Sequence, residues 1–521
     1  MATVNDTAGP ILKGLRIAVT AADLEQQEHR GIAAYSKNLI ESLHRSGAEV
    51  WLITEFDPKQ RMRGVRNLPF ETKSLLKAAK ILDDLCGGHS SEALRDYSLP
   101  QTDSIIREKL TALSKKLANK LLKNAPFLVT AAIRKNYEQS RMETILPHQH
   151  RDNPYLRSER LAYIDNITGI LCAPRFFGNA NLMAGNTRSG VVIMNLTSFD
   201  AIISTCPINI DSNQKTPIIQ TIHDLIPVEF ARHGENPVTF TRRLQASKNH
   251  TKIFMSVASQ RKYEHYIISG TAEGKTKKTN KTSAFEAVAI QPPSLQLIES
   301  EITRAKTKEN EEPWSWSPNQ QSKKRLRNRR YILFNSSIEP RKNVIFLIKF
   351  YQESQLGDRG YHLCITGTIK SDSYSQEVRK LVEKDSTIML TGYVDESTKA
   401  ELYSRALALV SPSLVEGFGI PVLDAACIGL ATIASDSDSH KEIRRMHDFS
   451  QYITLLRTTR TTPWATLLKR LADEADLIGE EETEVLIGER KVRFIGNKAE
   501  IEKEFSETIN TAVLSATSRK Q

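Results

Sequence analysis

Ser413-Leu-Val-Glu-Gly-Phe-Gly-Ile-Pro-Val-Leu-Asp-Ala-Ala-Cys-Ile-Gly429 is the stretch on which the fold turns. Glu416 sits in a glycine-bracketed loop, Pro421 suits the first position of a helix, and Asp424 falls in that helix's first turn. The apolar run Ala406–Val410 leads in and reads as a buried strand. The pattern is strand, tight loop, helix N-terminus, with one carboxylate before the helix and one inside it. Backbone N–H groups at such a helix start attract phosphate. A carboxylate beside them accepts hydrogen bonds from sugar or ribose hydroxyls, a layout that would hold a nucleotide-diphosphate sugar. An α/β loop with a plain capping acid has the same local pattern.

Three other segments carry related signals. Tyr331-Ile-Leu-Phe334 reads as a buried strand, followed by Asn335-Ser-Ser-Ile-Glu-Pro-Arg-Lys-Asn343 and an apolar helix from Val344. Arg341 can fork onto two phosphate oxygens, and Lys342 adds a point charge. Pro217-Ile-Ile-Gln-Thr-Ile-His-Asp-Leu-Ile-Pro227 is an apolar strand ending on His223-Asp224, with Asp224 suited to cap the next turn. Arg16-Ile-Ala-Val-Thr20 is a first strand, and Glu28-His-Arg-Gly-Ile-Ala-Ala-Tyr35 opens a helix. Gly31 there would let a phosphate approach the backbone closely.

Together these segments resemble glycosyltransferase family 4, the retaining enzymes of GT-B fold. Glu416-Gly-Phe-Gly419 and Pro421 resemble the family's Glu-x7-Glu signature, with Asp424 where the family usually has Glu. Asn335–Asn343 is similar to "G-T-I-E-P-R-K-N", with Ser336 and Ser337 in place of glycine and threonine. His223–Pro227 resembles "H-D-L-I-P". Gly31, Ile32 and Tyr35 keep part of "G-G-I-G-R-Y", with Ala33 and Ala34 intruding.

The resemblance implies an α/β, GT-B architecture of two Rossmann-like domains facing across a cleft. It implies Glu416 and His223 as the catalytic pair. It places the donor diphosphate on Arg341, Lys342, Gly31, Gly417, Phe418 and Gly419, and the ribose on Asp424. The implied activity is retaining transfer of a sugar, mannose being the candidate, from a GDP- or UDP-linked donor to a cell-surface glycan or lipid-linked acceptor. Cationic side chains and the helix start would carry the leaving diphosphate, so neither metal nor other cofactor is expected. Asp436-Ser-Asp438 imitates a metal-binding pair but lies downstream of the acidic loop, and no metal is assigned to it. A GT-B sugar-nucleotide epimerase, a glucan synthase or a non-catalytic GT-B-like binding protein are the competing readings.

Composition sets the limits. A chain of 521 residues with 40% hydrophobic content can build more than one core. The expected organisation is a first domain over residues 1–300 with a basic helical insertion near 100–150, and a linker over 301–330. A nucleotide-sugar-binding domain then occupies 331–490, and 491–521 form a helix crossing back to the first domain plus a tail. Five scattered cysteines without paired spacing suggest a reducing compartment. The start, Met1–Pro10, lacks a signal-peptide pattern, and no run of about 18 apolar residues occurs. A cytoplasmic protein is expected, with peripheral contact on the inner face of the plasma membrane as the further expectation.

The net charge of +11 bears on that contact. Within 105–129, Ile106, Leu110, Leu113, Leu117 and Leu121 fall at helical spacing among Lys109, Lys115, Lys116, Lys120 and Lys123. Such a helix lies on an anionic bilayer or packs on the first domain with a solvated lysine face. Lys323–Arg330, with Trp314 and Trp316 before it, reads as a solvated linker rather than a nucleic-acid site.

Overall fold

The computed structural model describes residues 10–26, 31–59, 67–87, 134–186, 190–213, 216–230, 235–269, 285–297, 315–317 and 325–518. Two parallel sheets organise these residues. In the first half, β1 (Arg16–Thr20), β2 (Glu49–Thr54), β3 (Glu143–Ile145), β4 (Gly169–Cys172), β5 (Ala201–Ser204), β6 (Ile218–Ile222), β7 (Thr251–Phe254) and β8 (Glu286–Val288) form one sheet. Its order is β8-β7-β6-β5-β1-β2-β4-β3. Every pairing is parallel except that of β3 with β4. In the second half, β9 (Tyr331–Asn335), β10 (His362–Thr366), β11 (Ile388–Gly392), β12 (Ala408–Ser411), β13 (Thr432–Ser435) and β14 (Ile453–Leu456) form an all-parallel sheet. Its order is β11-β10-β9-β12-β13-β14.

The central strands read as near-continuous apolar runs because helices cover both faces of a parallel sheet. β12 and β13 are buried along their whole length. α1 (Gly31–Arg45) buries Tyr35, Leu39, Ile40 and Leu43, one stripe at helical spacing, against the first sheet. In the second half the core lies on both sides of the sheet. One side carries Val422, Leu423 and Phe494, the other Leu347, Phe350 and Trp464. The α/β class with two mainly parallel sheets, one in each half of the chain, expected from the sequence is what these strands form.

The last helix, α7 (Glu480–Ser518), joins the two halves. Its 39 residues give a rod of about 58 Å. Phe494 and Ile501 pack into the second core, while Phe505, Ile509, Ala512, Val513 and Ala516 pack into the first. Each such buried Ile or Phe contributes about 1.5–3 kcal/mol relative to exposure. The helix starts well before residue 491, where the sequence pattern placed the crossing segment. Its buried positions over Glu480–Ile501 include Thr483, Arg490 and Lys491 beside Ile487 and Phe494, so no apolar period runs through that half.

Other sequence expectations fall unevenly. The insertion segment 105–129 and Trp314 lie outside the described residues. Residues 134–150, at the end of the expected helical insertion, contain the short strands Asn136–Glu138 and Glu143–Ile145 and two 3-10 turns instead. In the linker, Leu326–Arg327 pairs antiparallel with Ser315–Trp316, and Arg330 forms an ion pair with Asp476. Asp436 pairs with Arg457 and Asp438 with Lys441. No described helix is long and apolar enough to cross a membrane.

Candidate functional site

The site assembles where the C-terminal ends of both sheets face each other. On the second-domain side, β9 ends at Asn335 and the chain makes the Pro340–Lys342 turn. Asn343, left-handed at φ 58°, then redirects it into α3 (Val344–Ser354). β12 leads into the loop that carries Glu416, and α4 (Ile420–Ile428) follows. Gly419 precedes α4 at φ 100°, a conformation that a side chain would strain. The two loops are laced together, since Leu414 N–H donates to the Arg341 carbonyl at 2.7 Å.

Glu416 and Lys342 are the centre of this arrangement. Lys342 Nζ lies 2.6 Å from Glu416 Oε1, and Ser413 Oγ donates to the same oxygen at 2.6 Å. Arg341 reaches Glu416 Oε2 at 3.5 Å while its Nε donates to Glu339 at 3.0 Å. Both members of the central pair are buried, at 8% and 6% exposure. Burial alone would raise the Glu416 carboxyl, but Lys342 and Arg341 outweigh it and hold it at about 2. Burial draws the Lys342 ammonium down from its usual range, with Glu416 opposing. The pair is ionised at neutral pH. Glu339 is likewise held at about 2, because Lys370 and Arg341 overcome its burial.

The first-domain wall is supplied by β6 and α1. His223 Nε2 lies 2.7 Å from the Thr205 carbonyl. A carbonyl only accepts, so Nε2 carries the proton and Nδ1 keeps the lone pair. Burial lowers the His223 pKa against the pull of the Thr205 carbonyl, Asp224 and Asp23, which favours the neutral ring. Tyr35 packs edge-on against that ring at 5.0 Å. Asp224 Oδ1 accepts from Ile226 N–H at 3.0 Å, the turn-capping role read from sequence.

The two walls touch. A Cβ built on Gly417 would lie 2.6 Å from Asp224 Oδ2, and one on Gly31 would lie 2.9 Å from Ile420 Cδ1. Both glycines therefore sit where one domain meets the other. Phe418 turns its ring into the second core, so only its backbone faces the loop. Asp424 stands apart from the open site. It is fully buried, Oδ1 accepts from Ser294 N–H and Oδ2 from Ser294 Oγ, each at 2.6 Å. Burial raises its pKa against the opposing effects of Lys399 and the Ser294 bonds. In this structure both oxygens of the residue expected to hold ribose are engaged by the chain that connects the domains.

Three residues that the sequence did not single out complete the site. Ser439 Oγ donates to the Glu416 and Gly417 carbonyls at 3.0 Å each and fixes the loop from below. His440, in α5 (Asp438–Arg445), is fully buried against Gly419. Glu442, from the same helix, reaches the first domain. Its carboxylate accepts from Val257 and Ala258 N–H at 2.7 and 3.2 Å, at the start of α2 (Val257–Tyr263). Ser413 and Ser439 each follow a strand end at short range, a signal within reach of sequence. His440 and Glu442 offered none, because an amphipathic helix with one histidine and several charges is an ordinary surface pattern.

Comparison with known proteins bears on the second domain. O-antigen chain mannosyltransferase B of Escherichia coli is 31% identical over 115 residues, which cover 22% of this chain and 30% of that protein. Serotype-specific mannosyltransferase WbdA of Escherichia coli is 32% identical over 119 residues, covering 22% of this chain and 14% of that one. The matches thus span less than a third of either relative's length. Among solved structures, sucrose-phosphate synthase from Thermosynechococcus elongatus is similar at 14% identity and a TM-score of 0.48, covering 95% of this chain and 98% of that one. Residues 317–454, the span that holds Arg341, Lys342, Glu416, Asp424 and His440, match the family model of the glycosyl transferases group 1.

Proposed function

We propose that this chain is a retaining glycosyltransferase that moves a sugar from a nucleotide-diphosphate donor to a glycan or lipid-linked acceptor. Mannose is the sugar favoured by the names of the mannosyltransferase relatives. The observation that carries the reading is the buried Lys342–Glu416 pair, flanked by Arg341 and set against the start of α4. It supplies what transfer from a diphosphate needs. Arg341, Lys342 and the N–H groups at the helix start would hold the charge that develops on the leaving diphosphate. Glu416, freed in part from Lys342, would accept hydrogen bonds from donor-sugar hydroxyls. His223 would offer its Nδ1 lone pair to a hydroxyl of the donor or the incoming acceptor from the opposite wall. Retention is carried over from the family resemblance, with the departing phosphate taking the acceptor proton. Asp424 takes the ribose only if Ser294 yields its two bonds.

Donor hydrolysis in the absence of acceptor tests this reading. GDP-mannose, UDP-glucose and UDP-N-acetylglucosamine are incubated with the protein, and free sugar and nucleoside diphosphate are measured. Slow hydrolysis of one donor, lost in Glu416→Gln, is expected. Binding of a donor with no turnover under any acceptor would leave a non-catalytic binding protein as the better account. Peripheral membrane contact through 105–129 belongs to the same proposal, supported by the alternation of leucines and lysines and by a lipid-linked acceptor's need for a nearby bilayer.

A further inference from the structure

His440 is the buried polar group at this site that the reaction as described does not use. Its ring is fully buried in α5, directly under the loop Glu416–Gly419. Nδ1 lies 3.0 Å from the Ser435 carbonyl and 3.1 Å from Ser435 Oγ. The carbonyl fixes the proton on Nδ1, so Nε2 carries a lone pair. That lone pair has no hydrogen-bond partner. The same ring edge is pressed against the residue that starts α4, since a Cβ built on Gly419 would meet His440 Cδ2 at 3.0 Å and Nε2 at 3.2 Å. A buried acceptor with nothing to accept from is a cost that folding alone does not explain.

We propose that His440 is a positioning residue that takes up a proton when a sugar nucleotide's diphosphate binds at the Glu416–Gly419 loop. The inference rests on the donor reading given above and deepens it. Without donor, Lys342 neutralises Glu416 at 2.6 Å. Donor binding asks Lys342 to serve the diphosphate and Glu416 to serve sugar hydroxyls, so the buried carboxylate loses part of its counter-charge. A proton from solvent placed on Nε2 restores it and leaves Nδ1–H on Ser435 untouched. Glu416 and Lys342 are the charged groups that act on the ring, and they act in opposite senses. Burial keeps the free-protein imidazole neutral, with its pKa below the usual range. A diphosphate above the loop adds negative charge on the same side as Glu416, which moves the imidazole up through neutrality. Proton uptake then ties donor affinity to pH and holds Glu416 in place for the sugar.

Titration calorimetry of the full-length protein tests the linkage, with GDP-mannose or UDP-glucose, whichever binds. These sugar nucleotides have no group of their own that titrates near neutrality. Binding enthalpies are compared across buffers of different ionisation enthalpy at about pH 7. Uptake of about half a proton or more per donor bound is expected for wild type, falling to zero in His440→Gln. In parallel, ¹⁵N and ¹³C resonances of the His440 ring in the wild-type protein should titrate at higher pH with donor than without, a measurement that does not depend on any variant folding. Binding without proton uptake, uptake that persists in His440→Gln, or an unmoved ring titration each overturns the inference and leaves the donor reading standing. Failure of every sugar nucleotide to bind overturns the donor reading and this inference with it.

Discussion

Breaking the Lys342–Glu416 pair from either side separates its structural role from its chemical one. Lys342→Met keeps the length of the side chain and strands Glu416 at 8% exposure with only Arg341, 3.5 Å away, as a cation. Removing one member of a buried pair typically costs about 3–5 kcal/mol, because the partner's charge stays buried. Glu416→Gln strands Lys342 instead, but the amide can still accept from Ser413 and from Lys342, so the lower end of that range applies. The double variant removes both charges and should cost no more than either single change, a coupling energy of about 2 kcal/mol or more. The pH dependence has a definite sign. The Glu416 carboxyl falls from an ordinary 4.5 to about 2 in the fold. Its stabilising contribution, about 3 kcal/mol, is therefore complete above pH 4.5 and lost as pH falls through about 2. Lys342→Met raises that carboxyl, so the deficit against wild type should be widest at neutral pH and close in acid. Urea unfolding of the four proteins at pH 7 and near pH 3, with donor turnover measured alongside, checks both parts. Additive losses in the cycle would mean the two side chains do not share a buried charge. Near-wild-type turnover in Glu416→Gln would remove Glu416 from the catalytic site.

The other predictions are more local. Arg341→Ala should weaken sugar-nucleotide binding by about 1–3 kcal/mol, the worth of a charge-assisted contact, and calorimetry with unchanged affinity would make it a structural partner of Glu339. EDTA should leave transfer intact if Arg341 and Lys342 carry the leaving diphosphate as proposed, and loss of activity restored by a divalent ion would refute this. Asp424→Asn and Ser294→Ala should each lower stability, by about 1–3 kcal/mol for a bond broken at a fully buried group. If Asp424 also holds ribose, Asp424→Asn weakens donor binding while Ser294→Ala does not. Equal donor affinities in both would confine Asp424 to anchoring the connector. Replacing Lys109, Lys116, Lys120 and Lys123 by Gln should release the protein from anionic liposomes at low salt, each lysine contributing on the order of 1 kcal/mol. Wild type that ignores such liposomes would assign the segment to packing.

The parts of the site that sequence revealed are those whose chemistry is local. Gly417, Gly419 and Pro421 are required by a tight loop entering a helix, and the Pro340–Lys342 turn announces itself by proline and paired charge. The strands were legible as apolar runs and their ends lie within a residue or two of where the pattern put them, as at β9 and β12. What stayed hidden is what depends on distant partners. Lys342 and Glu416 meet across 74 positions, and Asp424 meets Ser294 across 130. α4 also buries every residue from Val422 to Ile428, so the acid among them could not be told from a site carboxylate by its spacing. α7 escaped for the opposite reason, because its buried face is divided between two cores.

The contacts between the domains explain why two glycines of the motif matter in a way the motif alone does not convey. Close approach to phosphate was the reason to expect glycine at Gly31 and Gly417. In the structure each instead faces the opposite domain: a Cβ on Gly31 would press on the tip of the Ile420 side chain, and one on Gly417 would lie 2.6 Å from Asp224 Oδ2 and 3.0 Å from its Cβ. Glu442 adds a carboxylate on the N–H groups that start α2, and Ser294 ties the connector to α4. All four contacts lie within or beside the site, so the arrangement is one in which the walls are already shut. α7 is packed into both cores, Phe494 and Ile501 in the second and Phe505 to Ala516 in the first. Were a diphosphate to lie between Gly31 and the α4 start, as the proposed function has it, the walls would have to part. If a phosphate lies between them, as proposed, the same glycines would keep the backbone there free of side chains, and closure and phosphate contact would be successive uses of one absent Cβ at Gly31 and Gly417.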